Sequence, residues 1–216
     1  METFRDVETA AYCPRKLYYR RRDPEAYDPP SAVADVRELA FRYEELLTDD
    51  DALARAPVAL TPTQYRSRLG RSRARFDDWP ALVDPAEREV HLAGRECRGV
   101  AHKVLENPPR PSLVFTGDPP TNGVWEPQTV RLVAAAKALA WDRERPVETA
   151  IAEYPAHGVV REIPLTTRRK AAYRGALRTA RAIDGPPSRI ENDAKCSPCD
   201  YRDRCGVQTR SLRSLL

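Results

Sequence analysis

A chain of 216 residues, 41% hydrophobic and 31% charged, suffices for one globular domain. Thirty-six basic residues against 32 acidic ones leave a net charge of +4, which permits a polyanionic partner without demanding one. No stretch approaches the roughly 18 apolar residues of a membrane span, and the charged start Glu2-Thr3-Phe4-Arg5-Asp6 is unlike a secretion signal. Neither secretion nor membrane insertion is therefore expected, and the cytoplasm is the expected compartment.

The spacing of Phe4, Val7, Ala10 and Ala11 predicts a first short helix, and Pro14 suits the first turn of a second, with Cys13 at the junction. After the Pro29-Pro30 break, Ser31 is placed to cap a helix running to about Leu47. Residues 48–56 read as polar linker, Val58 to Leu60 as a short strand, and Pro62 as the start of a helix carrying Arg66, Arg68, Arg71, Arg73 and Arg75. Glu89 to Leu92 and Cys97 to Leu105, separated by Ala93-Gly94, have the pattern of a hairpin, followed by a third strand at Ser112 to Thr116. A long helix is expected over Thr129 to Arg143, then two strands around His157-Gly158, then a last amphipathic helix over Thr167 to Ile183. Together these describe an α/β layer fold in which helices cover a small sheet, while the two chain ends form a second structural unit.

Cysteine usage carries the most chemistry. Cys196-Ser-Pro-Cys199 and Cys205 have the spacing C-x2-C-x5-C, and three soft thiolates this close point to zinc, copper or iron with sulfide. Cys13 is the natural fourth ligand and Cys97 the competitor. Zinc sites usually show two separated pairs of ligands, whereas one isolated cysteine matched with a group of three favours an iron-sulfur cluster. Either metal would tie residues 1–22 to residues 190–210 and close a very long loop.

Ala11-Tyr12-Cys13-Pro14-Arg15-Lys16-Leu17-Tyr18-Tyr19, paired with Cys196, Cys199 and Cys205, resembles the CRISPR-associated Cas-four exonucleases, relatives of the RecB-like nucleases. The resemblance implies a PD-(D/E)XK nuclease core spanning residues 1–216 and a [4Fe-4S] cluster on Cys13, Cys196, Cys199 and Cys205. It also implies DNA as the partner, as a single strand or at duplex ends, together with CRISPR integration proteins.

The catalytic pattern of that family departs here. Such nucleases hold magnesium or manganese on carboxylates from adjacent strands, with a lysine beside them. The G-x-x-D pattern falls on Gly99-Val100-Ala101-His102, so His102 stands at the aspartate slot; the E-x-K pattern puts Leu113 and Phe115 at the glutamate and lysine slots. The family's early histidine falls near Tyr43 or Glu44 and is absent. Glu44, Glu96, Glu106, Asp118 and Glu126 are acidic groups near the expected pocket, with Glu126 the best candidate for a displaced ligand and a helix-start carboxylate its plainer reading. Two basic stretches with neighbouring aromatics, Arg20-Arg21-Arg22 and Arg66, Arg68, Arg71 and Arg73, suit nucleic-acid phosphates. The competing functions are a DNA-end-processing enzyme, a non-catalytic nuclease-fold platform for DNA or protein, and a zinc-stapled interaction module.

Overall fold

The computed structural model describes residues 1–23 and 31–206. The Pro29-Pro30 break and residues 207–210 of the expected C-terminal unit lie outside the described residues. Strands β1 (Glu2–Thr3), β2 (Glu87–Ala93), β3 (Cys97–Glu106), β4 (Pro109–Val114), β5 (Thr149–Tyr154) and β6 (Val159–Pro164) form one mixed sheet. Its order is β1-β3-β4-β5-β6, with β2 also paired to β3. The β1–β3 and β4–β5 pairs are parallel and the remainder antiparallel.

The helices are α1 (Phe4–Tyr12), α2 (Pro14–Arg22), α3 (Ser31–Glu38), α4 (Tyr43–Thr48), α5 (Asp50–Arg55), α6 (Pro62–Arg75), α7 (Trp79–Val83), α8 (Glu126–Asp142), α9 (Thr167–Arg181) and α10 (Asp193–Cys196). Apolar side chains on alternate strand positions feed two cores. Leu113, Phe115, Ala152 and Tyr154 pack with residues of α1, α8 and α9, whereas Leu105, Val114 and Ile151 pack with Tyr43, Leu46, Tyr65, Leu69 and Trp79. The molecule is thus a mixed α/β fold in three layers, with the sheet buried on both faces. No helix among the described residues is long and apolar enough to cross a membrane.

Two glycines permit the close approach of these layers. A Cβ on Gly94, in the β2–β3 turn, would lie 2.7 Å from the Cα of Ala138 in α8. Gly158, between β5 and β6, has φ +61° and backs onto Leu69 N and Tyr65 O of α6, so a side chain there meets both backbone strain and a helix. Helix α8 runs Ala134-Ala135-Ala136 with all three buried, which suits a helix enclosed on several sides.

Between Ser31 and Leu60 the structure differs from the sequence reading in three respects. The helix expected from Ser31 to Leu47 is broken into α3, a 3-10 turn at Leu39–Phe41 and α4. At the break, the Ala40 carbonyl accepts a hydrogen bond from Lys103 Nζ at 2.6 Å, a tertiary contact that periodicity does not register. The stretch read as linker contains α5, whose first turn is capped by the Asp49 carboxylate accepting from Asp51 N and Ala52 N. Val58 to Leu60 is not a strand; Ala59 N makes a single bond to Ala156 O.

Candidate functional site

Cys13 is at once the C-cap of α1 and the N-cap of α2: its N–H donates to Thr9 O, and its carbonyl accepts from Leu17 N. Pro14 at the next position cannot donate, which ends one helix and starts the other without an orphaned N–H. Across the molecule, Asn192 caps α10 by accepting from Lys195 N; Cys196 ends that helix and Cys199 lies in the following turn, with Cys199 N donating to Cys196 O.

Side-chain contacts sew these ends together. Tyr12 OH donates to Lys195 O, Lys195 Nζ returns a bond to Tyr12 O, and Arg15 donates to Pro187 O. Tyr19 stacks on Tyr201 with centroids 5.8 Å apart and donates to Arg204 O, while Lys16 pairs with Asp200 at 3.0 Å. Cys13, Cys196, Cys199 and Cys205 line one cavity of about 20 Å³, bordered by Arg15, Lys16, Arg189, Lys195 and Arg202 and by no carboxylate. Burial and the nearby Cys199, Cys13 and Cys196 push the Tyr12 phenol up. All four thiols are free, and as placed no three His, Cys, Asp or Glu side chains among the described residues stand close enough to hold a metal ion. The four therefore share a cavity wall without forming a finished coordination sphere. As a donor set, four thiols ringed by cations suit zinc or iron with sulfide, because the basic side chains offset thiolate charge.

Cys97 is not on that wall. It is buried in the sheet core, 3.3 Å from Tyr173 OH, and burial pushes its thiol up.

His102, Leu113 and Phe115 are all buried in the sheet layer. The Nδ1 of His102 accepts from Val114 N at 3.1 Å, so in the neutral ring the proton sits on Nε2. Burial, reinforced by Arg131, Arg37 and Lys103, pushes the imidazole down to about 3, which keeps it neutral near pH 7. The Arg131 guanidinium lies over the Phe115 ring at 5.6 Å and donates to Glu8 at 3.3 Å. Leucine and phenylalanine offer no oxygen to a metal ion, and a permanent cation above them opposes a second one.

The other acids have separate employment. Glu44 accepts from Trp79 Nε1 at 2.6 Å and pairs with Arg73; Glu96 meets Tyr173 OH and Lys137; Asp118 meets His157. Glu106 is exposed at the end of β3, and Glu126 is exposed on the first turn of α8, where it complements the helix dipole.

One buried cluster escaped the sequence reading. Lys103 and Glu153 form a salt bridge of 2.8 Å with neither side chain exposed, and Ser112 donates to the same carboxylate. The ammonium also lies 5.0 Å from the ring centroids of Phe41 and Tyr43. The available signal was Glu153 as the one charged residue of β5; β3 carries Arg98 and Glu106 as well as Lys103 and gave none.

The arginine candidates divide. Arg20 donates to Thr9 and Asp6, Arg21 to Ala180 O and Glu2, and Arg22 lies over the Tyr18 ring at 4.3 Å. Arg66 pairs with Asp50 and Arg73 with Glu44, whereas Arg68 and Arg71 are exposed on the other side of α6. Set against known proteins, the chain matches no family model and no curated protein.

Proposed function

We propose that this protein binds DNA on a fold of the Cas-four, RecB-like nuclease type, with its two ends joined by a thiolate-ligated iron-sulfur cluster and without cleavage at the family's usual metal site. The observation that carries the reading is that four cysteines from opposite ends of the chain line one cavity bordered by five basic side chains and no carboxylate. Cys13, Cys196, Cys199 and Cys205 would hold the group. Bound there, it supplies a covalent cross-link between α1–α2 and the C-terminal turn.

His102, Leu113 and Phe115 support the non-cleaving half of the reading, since they replace charged ligands by a neutral ring and two hydrocarbons. Zinc on the same four thiolates is the second reading, favoured by the donor set itself, since four cysteines are also a common structural zinc site.

The test is the visible spectrum of protein purified without oxygen, with iron, sulfide and zinc analysis, followed by incubation of the same sample with labelled single-stranded DNA and manganese. Broad brown absorbance, equal iron and sulfide, and DNA bound but uncut are expected. Colourless protein with one zinc selects the second reading. Protein with neither metal sinks the staple, and manganese-dependent cutting sinks the loss of cleavage.

A further inference from the structure

Helix α6 presents two different arginine faces. Arg66 and Arg73 turn toward Asp50 and Glu44. Arg68, Arg71 and Arg75, spaced by three and four residues, share the opposite side over roughly 10 Å of helix. They form one wall of a groove of about 460 Å³, whose far side is Arg161 on β6 and the Pro119-Pro120 turn. No carboxylate lines this groove, and among the described residues none of its four arginines pairs with one.

Resting on the DNA-binding reading, we infer that the phosphodiester backbone of a nucleic acid lies in this groove, gripped by Arg68, Arg71, Arg75 and Arg161 without reading of bases. Four guanidinium groups lining one groove without a carboxylate give it a positive potential that a multiply charged anion meets favourably. The groove is also pre-built. Ser72 Oγ donates to Gly158 O at 2.9 Å and accepts from Val160 N at 3.2 Å, which fixes α6 on the sheet edge. Arg161 is braced by the carbonyls of Gly123 and Thr121, so its cation is presented with little conformational freedom left to lose.

The same contacts argue for nucleic acid over an acidic peptide. A peptide would gain most by adding a strand to the edge of β6, but Ser72 already takes Val160 N at the start of that edge. The groove contains no aromatic ring, so there is no platform for base stacking and the contact is with phosphates.

The experiment measures binding of a short labelled oligothymidylate to the full chain across a salt titration. Replacing Arg68, Arg71 and Arg75 together by glutamine should weaken binding at low salt and reduce the slope of log K against log salt by about 2, near 0.7 for each lost contact. The triple change Arg174→Gln, Arg178→Gln and Arg181→Gln on α9 removes the same charge elsewhere and should leave the slope within a fraction of a unit. If the parent binds and both triple variants keep its slope, the groove is overturned while the DNA-binding reading stands. If the parent does not bind, both fall. Competition by polyglutamate as effective, charge for charge, as unlabelled oligothymidylate would overturn the choice of nucleic acid.

Discussion

The cysteine seam and the sheet slot meet the same short helix, one at its end and the other at its middle, and they are opposites. Tyr12 and Cys13, where α1 closes, belong to a partly exposed seam of thiols, tyrosines and basic side chains. Four residues earlier, Glu8 reaches Arg131 over Phe115, in a layer made of a neutral histidine and hydrocarbon. The seam closes through polar contacts around a small cavity and has little apolar packing of its own, whereas the sheet is a self-sufficient core that needs no ligand. The two regions are therefore held by different forces, polar contacts in one and apolar packing in the other, so a change in one need not disturb the other.

The sharpest way to break the core side of this contrast is its buried ion pair. Glu153→Ala leaves the Lys103 ammonium without its carboxylate in a dry site and is expected to cost about 3–5 kcal/mol in denaturant unfolding. Lys103→Met combined with Glu153→Leu should recover most of that loss, since no charge is then left unpaired. A single variant within about 1 kcal/mol of the parent would show that the pair is not buried in solution.

The seam should respond more mildly and separately. Cys199→Ser is expected to bleach the protein and to lower stability by about 2–4 kcal/mol, the range for losing a long-loop cross-link, while the far-ultraviolet dichroism of the sheet core is kept. A fully coloured variant of unchanged melting temperature would remove Cys199 from the ligand set.

The smallest effect is a pH dependence that belongs to the core alone. His102 has a folded-state value of about 3 against an ordinary 6.5, so the unfolded chain takes up a proton that the native protein refuses. Stability is then full above about pH 6.5 and falls as the pH drops toward 3, by about 1 kcal/mol between pH 7 and pH 5.5. His102→Gln, which keeps an acceptor for Val114 N, should flatten that slope. An unchanged slope would assign it to other groups.

Much of the layer order was legible, because Val130, Val133 and Ala134 in α8 and the apolar runs of β3 to β5 follow simple periodicity. That Cys13 would lie near Cys196, Cys199 and Cys205 was legible to the extent that all four line one cavity, because cysteine is rare and C-x2-C-x5-C is a dense local signal. What stayed hidden depends on tertiary contact. The break before Tyr43 follows from Lys103 claiming Ala40 O, and Lys103 in turn is held by Glu153, fifty positions later. The division of the α6 arginines was hidden in the same way, since helical spacing separates their faces but only Asp50 and Glu44 say which face is spoken for.

The seam also fixes an order in time. Tyr12 and Lys195 are 183 positions apart, and at about 5–20 residues per second of synthesis roughly 10–40 s separate their appearance. Helices α1 and α2 are synthesised with Cys13 between them while Cys196, Cys199 and Cys205, which line the same cavity, are still untranslated. The sheet can pair and pack within that interval, before the cavity that joins α1 and α2 to residues 196–205 can close.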